Sequence, residues 1–207
     1  MQLSLQEKIL LFTPLIISIM VFFIFNSSNF IEPDSLTYLE YGRRPPFYPF
    51  LLDIFYIKEN IKIIQIFQYS LFILSSFFLI LNLQKILRYK ILIFLFSICI
   101  GINFYSNSYH LKLLPESIFL TLVNLYIIFL IKILSKEFSF LNVLIFLIIN
   151  IFMIITKEVG VFFNIFSMSI ILKNYIDFKN KYNFLYLITF PIVFLVTVNS
   201  FKLNNNI

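Results

Sequence analysis

The sequence of 207 residues contains no tryptophan, no alanine, three glycines, one cysteine and one histidine. A single cysteine excludes a disulfide within the chain, and with a single histidine it leaves no ligand set for a conventional zinc site. The three glycines, at positions 42, 101 and 160, cannot form a glycine-rich phosphate loop. Charged residues make up only 13% of the chain, too few to cover a water-soluble globule. We expect no metal site built from cysteine and histidine, and we expect His110 to be an interfacial polar residue.

The chain is rich in hydrophobic residues, which make up 60% of it and include 29 phenylalanines. Because a membrane-spanning helix needs about 20 apolar residues, the long apolar runs predict several crossings. Apolar segments lie at about 9–25, 63–83, 91–104, 118–134, 140–155, 159–172 and 184–198. The third, fifth and sixth are short, so the region 140–172 also fits a re-entrant or short hairpin. The sequence predicts an all-α, polytopic integral membrane protein with about five to seven transmembrane helices, in a single domain over 1–207.

The distribution of charge predicts the orientation of these helices. If the N-terminus is cytoplasmic, nine of the sixteen basic residues lie inside, which is a weak positive-inside asymmetry. The same topology puts seven of the ten carboxylates outside. Because acids contribute little to topology, this concentration predicts a polar site on the outer face of a plasma or inner membrane. Lysines that flank the spans explain the net charge of +6, so we expect no nucleic-acid partner.

The first connection, over 26–62, is predicted to lie outside the cytoplasm and is the only long polar segment. It contains the stretch EPDSLTYLEYGRRPPFYPFLLD. Pro33 and the acids beside it predict a short surface helix over 33–41. Three prolines that follow, at 45, 46 and 49, predict an extended path back towards the bilayer. Glu32 and Asp34 could deprotonate a hydroxyl or hold a divalent cation, or they could only cap the helix.

The other charged residues also have both a functional and a purely structural interpretation. Arg43 and Arg44 could clamp phosphate oxygens through their planar guanidinium groups, or they could contact anionic lipid headgroups. Glu116 stands where a span begins, a position that also suits a helix N-terminal acid. Lys157 and Glu158 interrupt an otherwise apolar stretch, and ionisable groups at membrane depth are costly unless they pair or face a cavity. A plain turn between two spans is the alternative there.

Taken together, these segments resemble the polytopic C-type (GT-C) glycosyltransferases that use polyprenyl-phosphate sugars, including protein O-mannosyltransferases and lipid A aminoarabinose transferases. In that family the first span precedes an outer loop with an acidic motif, a surface helix and a Gly/Pro-rich return, the order of EPDSLTYLEYGRRPPFYPFLL here. LPES at 114–117 resembles the family's glutamate at the start of an early span, and TKEVG at 156–160 resembles its T-R-x-x-G-like break. The chain departs from the family in being shorter and in carrying lysine, at 157, where arginine is common.

The resemblance implies a sugar transfer from a polyprenyl-phosphate donor to an acceptor on the outer face of the membrane. Asp34 would be the general base that activates the acceptor hydroxyl, with Glu32 as its helper. Positive charge would neutralise the departing lipid phosphate, and a further acid would orient the sugar or the acceptor. The residues implied in these two roles are Arg43, Arg44 and Lys157 for the phosphate and Glu116 for orientation.

The implied partners are the lipid bilayer and the polyprenyl-phosphate sugar, and no cofactor is implied. A partner subunit could supply helices that this shorter chain lacks. The alternative hypothesis is a non-enzymatic integral membrane protein, such as an assembly partner or a transporter-like subunit, whose outer acids only cap and solvate. Enzyme and alternative differ in one requirement, because only the enzyme needs its charged candidates to converge on one cavity.

Overall fold

The computed structural model describes residues 5–25, 38, 45–54, 61–87, 89–135 and 139–178. Every helix or strand assigned within these ranges is an α-helix, which confirms the predicted all-α fold for them. The helices are α1 (Leu5–Phe25), α2 (Phe47–Ile54), α3 (Ile61–Ile86), α4 (Lys90–Gly101), α5 (Phe104–His110), α6 (Pro115–Leu134), α7 (Phe140–Thr156) and α8 (Gly160–Phe178). Six of the seven predicted apolar segments coincide with one of these helices. The seventh, 184–198, lies outside the described residues.

Two helices, α3 and α6, are long and apolar enough to cross a bilayer, as judged by length and composition. At a rise of about 1.5 Å per residue they measure roughly 39 and 30 Å. Shorter apolar helices are formed by α4, by α7 and by most of α1 and α8. Large apolar side chains such as Met20, Phe78 and Phe162 remain exposed. This surface is compatible with membrane association.

The proline-rich part of the first connection differs from the prediction of an extended path. Residues Phe47–Ile54 form the helix α2, which begins after a turn at Pro46. Phe50 N–H donates to Pro46 O at 3.1 Å, so Pro46 starts the helical hydrogen-bond ladder. Pro49 falls in the first turn, where the backbone N–H has no partner within the helix. The extended path is therefore wrong, because all three prolines precede the point at which a missing N–H would break a helix.

The predicted surface helix over 33–41 falls almost wholly outside the described residues. Tyr38 is its one described residue, and its backbone is helical.

The chain divides into two compact units. The first consists of Met1–Leu36 and Leu52–Asn124, and the second of Thr37–Leu51 and Leu125–Ile207. The prediction of a single transmembrane domain is not tested by this division and stays a prediction.

In the first unit, α1 packs most extensively against α4 through small residues. Ser97 Oγ donates to Leu11 O at 2.6 Å, and Gly101 lies one turn further along α4. A Cβ atom at position 101 would lie 2.5 Å from Pro14 O, so glycine is what allows this close approach. Small residues four apart are the usual means by which apolar helices pack closely.

In the second unit, α7 and α8 form a tight helical hairpin. Gly160, the first residue of α8, lies against the backbone of Met153, and a Cβ atom there would overlap it. Ser167 Oγ on α8 is 2.9 Å from both Tyr126 OH on α6 and Asn150 Oδ1 on α7. The hydroxyl groups and the amide thus join three largely apolar helices at one point.

Candidate functional site

Four buried polar side chains of the first unit meet where α3, the end of α5 and the start of α6 come together. We call Gln65, Gln68, His110 and Ser117 the His110 cluster. The two glutamines, three residues apart, share one face of α3. Gln68 Nε2 donates to the carbonyls of His110, at 3.0 Å, and Lys112, at 2.8 Å. Gln65 Nε2 donates to Leu111 O at 2.5 Å, so the turn after α5 is clamped onto α3.

His110 is a core residue, not the interfacial one that we expected. Its side chain is fully buried, and its Nδ1 lies 2.6 Å from Ser117 Oγ. The imidazole packs against Phe72, with ring centroids 4.2 Å apart, and against Tyr69 at 5.3 Å. Nε2 has no hydrogen-bond partner in the part of the chain that the structure describes. Burial lowers the pKa of His110 from its ordinary 6.5 to about 3, so the ring is neutral at pH 7.

A second hydrogen-bonded chain fixes α5 in place beside this cluster. Ser18 Oγ donates to Asn107 Oδ1 at 2.8 Å and is 2.8 Å from Tyr69 OH. Asn107 Nδ2 in turn donates to Gly101 O at 3.0 Å. The Tyr69 ring stacks on Phe22 with centroids 3.9 Å apart. The position of His110 is therefore set by α1, α3 and α4 together, as a preorganised polar group requires.

Acidification from pH 7 to pH 5 is expected to destabilise the protein through His110. Because the folded-state pKa is about 3 and the ordinary value is 6.5, the unfolded chain binds the extra proton between these two values. The contribution of this group to the free energy of unfolding is fully present above pH 6.5. It falls by up to about 1.4 kcal/mol per pH unit below that.

Thermal unfolding in detergent at pH 7, 6 and 5 measures this effect, with His110→Gln as the control. The variant lacks the titrating group and should lose that part of the pH dependence. Identical pH profiles for the two proteins would contradict the assignment.

The structure describes two of the six predicted site residues. Glu116 is partly buried in the first turn of α6, next to Ser117, and so stands beside the His110 cluster. Lys157 follows the last residue of α7, with extended backbone (φ −154°, ψ 137°), and its side chain is partly buried. Glu158 beside it is exposed. The other four predicted residues, Glu32, Asp34, Arg43 and Arg44, lie outside the described residues.

The second unit brings the helix of the first connection against the last turns of α7, the helix that runs into the TKEVG segment. The Phe47 ring, in the first turn of α2, meets the Phe152 ring on α7 edge to face, with centroids 4.8 Å apart. Phe152 lies five residues before Lys157 in the chain. Tyr38 meets the fully buried Tyr48 at 5.5 Å, in a perpendicular arrangement. We call the Phe47–Phe152 pair the α2–α7 contact, because it joins the first connection to the last turns of α7.

Comparison with protein-family models, with curated proteins and with solved structures gave no match to this chain. The candidate site therefore rests on the residues alone. Among the described residues, no three of the His, Cys, Asp and Glu side chains are grouped so as to hold a metal ion. The predicted acids Glu32 and Asp34 lie outside that part of the chain.

The His110 cluster could not be predicted from the sequence, for a physical reason. A glutamine or serine within an apolar run can lie at the protein surface at little cost in free energy. The presence of these residue types therefore does not indicate a buried polar cluster. The usable signal was the three-residue spacing of Gln65 and Gln68, which puts two amides on one face of an otherwise apolar helix. The α2–α7 contact had no comparable signal, because phenylalanine is common throughout the chain.

Proposed function

We propose that this chain is an integral membrane glycosyltransferase that moves a sugar from a polyprenyl-phosphate donor to an acceptor on the outer face of the membrane. The membrane part of the proposal is supported by the two long apolar helices and by the exposed apolar side chains of α1, α3 and α8. In the proposed topology the N-terminus is cytoplasmic and the first connection is extracytoplasmic. That topology places seven of the ten carboxylates outside, which supports a polar site on that face.

The α2–α7 contact is the observation that carries the enzymatic part. The RRPPFYPFLL segment and the TKEVG segment are more than a hundred residues apart in the sequence. The Phe47 ring of the first nevertheless touches Phe152, one turn before the end of the helix that runs into the second. A transferase of the proposed kind needs its acidic loop and a cationic break in the same place. A non-enzymatic membrane protein, whose outer charged residues only cap helices and contact water, does not need these two segments to lie together.

The proposed reaction is a direct displacement at the anomeric carbon. The acceptor hydroxyl oxygen forms the new bond to that carbon while the bond to the phosphate oxygen breaks, and the phosphate leaves with the electron pair. Asp34 takes the hydroxyl proton, with Glu32 beside it in the sequence as helper. Arg43, Arg44 and Lys157 stabilise the negative charge that develops on the leaving phosphate. Glu116 orients the sugar or the acceptor.

Transfer from a panel of polyprenyl-phosphate sugars by the purified protein tests this function. Asp34→Asn keeps the size of the side chain but removes the base, so we expect the transfer rate to fall by about 10²- to 10⁴-fold. Asp53→Asn is the matched control, since Asp53 is an exposed acid of the same connection with no proposed role. It should retain the wild-type rate.

Equal product from wild type and Asp34→Asn would remove Asp34 as the base. The absence of transfer from every donor would favour the non-enzymatic membrane protein.

A further inference from the structure

The first turn of α6, which carries Glu116, is bonded to a residue outside the helix. Glu116 is the second residue of α6, and the first turn of a helix frays easily because its N–H groups have no partners within the helix. The next residue, Ser117, is fully buried, and its Oγ lies 2.6 Å from His110 Nδ1. This bond joins the start of α6 to the end of α5, seven residues back along the chain. It opposes fraying at the turn where Glu116 stands.

The connection that leads into α6 is held as well. Residues 111–114 lie outside any helix, so their backbone groups need partners other than a helical ladder. The two glutamines of the His110 cluster donate to three successive carbonyls, those of residues 110–112. The Leu113 side chain that follows is fully buried. The backbone on both sides of Glu116 is therefore fixed to α3 and α5.

The Glu116 side chain also lies against the protein. The residue as a whole is partly buried, and its Oε2 atom is buried. Acidic side chains at a helix start usually point into water. Because one carboxylate oxygen lies inside the protein here, the orientation of the carboxylate follows the backbone of the first turn of α6.

We propose that the His110 cluster positions the Glu116 carboxylate, an inference that rests on the proposed function. His110 and Ser117 act through Glu116 and not on the substrate, so they are positioning residues. In the proposed reaction Glu116 orients the sugar or the acceptor, and a misplacement of about 1 Å in such a group can lower a rate by about 100-fold. The buried imidazole, which takes no part in the proposed displacement, supplies this precision.

Nuclear magnetic resonance tests the positioning without requiring transfer. The full chain is labelled with ¹³C at the glutamate Cδ atoms, and the Glu116 signal is the one that Glu116→Gln removes. Ser117→Ala breaks the bond to His110, so we expect it to shift or split this signal. An unchanged Glu116 signal in Ser117→Ala would overturn the proposal.

Thr121→Val is the matched control for this measurement. Thr121 is a buried residue of the same helix, and its Oγ1 donates to Ser117 O within α6 at 3.3 Å. Its removal takes away a buried hydroxyl but leaves α6 bonded to His110. The Glu116 signal should stay in place.

A double-substitution cycle separates positioning from a general loss of structure. We expect Ser117→Ala to lower the transfer rate about 10- to 100-fold, and Thr121→Val to leave it within about twofold of the wild type. In a Glu116→Gln background, Ser117→Ala should have no further effect, because the group that it positions is gone. A further decrease of the same size would show that Ser117→Ala acts on folding, and it would overturn the proposal.

Failure of this proposal and failure of the proposed function give different results. If the wild type transfers from no donor while Ser117→Ala still moves the Glu116 signal, the function is refuted and the positioning of the carboxylate remains. If transfer is normal and Ser117→Ala changes neither the rate nor the signal, the positioning is refuted and the function remains.

Discussion

Gly101→Ala is expected to lower the free energy of unfolding by about 3 kcal/mol or more. The added Cβ would lie 2.5 Å from Pro14 O and 2.6 Å from the Pro14 carbonyl carbon, closer than nonbonded atoms approach. Both obstacles are backbone atoms inside α1, so no side-chain rotation can relieve the overlap and the two helices must move apart. The hydrogen bond from Ser97 to Leu11 O, one turn away, would stretch with them.

The melting temperature in detergent measures this effect, and a loss of about 3 kcal/mol corresponds to a decrease of roughly 6 to 12 °C for a chain of this length. Cys99→Val is the matched control, because it also adds volume to α4 but at an exposed position. It should leave the melting temperature within about 2 °C of the wild type, as surface substitutions usually do. A Gly101→Ala protein as stable as Cys99→Val would show that α1 and α4 do not pack as closely as described.

Gln68→Leu should lower the free energy of unfolding by at least about 2 kcal/mol. The leucine fills a similar volume but removes the Nε2 group that donates to the carbonyls of His110 and Lys112. The His110 carbonyl ends α5 and the Lys112 carbonyl lies in the turn after it, so one donor is lost in a buried setting and one in a partly buried setting. The expected decrease in melting temperature is roughly 4 to 8 °C, and amide hydrogen exchange in residues 108–114 should increase.

Gln84→Leu is the control for the same chemical change on the same helix. Gln84 Nε2 is buried and has no hydrogen-bond partner in the described ranges, so its removal leaves nothing unsatisfied. We expect Gln84→Leu to be neutral or slightly stabilising. If both substitutions cost the same, the loss at position 68 comes from packing and the clamp on the turn is refuted.

The long apolar elements were predictable because their signal is strong and local. The segments at 63–83 and 118–134 became α3 and α6 with no end shifted by more than three residues. The mean hydropathy of about 20 consecutive residues is enough to predict a long apolar helix, whichever other helices pack against it. The region 140–172 also forms helices at its two predicted apolar segments, with a three-residue connection between them.

The proline-rich segment and the polar cluster were not predictable in the same way. Pro46 and Pro49 indicate a break or a helix start depending on where the hydrogen-bond ladder begins, and that depends on packing of Tyr48 in the core. The His110 ring is buried against Tyr69 and Phe72 of α3, and Gln68, 42 residues away, donates to its backbone carbonyl. Such pairings are long-range, so one sequence shows the residue types without showing which of them meet.

The connection between α7 and α8 also bears on biogenesis. Only residues 157–159 separate the two helices, and Asn150 on the first accepts a hydrogen bond from Ser167 on the second. Until α8 has been synthesised, that amide oxygen lacks this partner, and an unsatisfied polar atom disfavours release of α7 into lipid by itself. In the proposed membrane setting, the translocon would therefore hold α7 until α8 emerges and integrate the pair in one step.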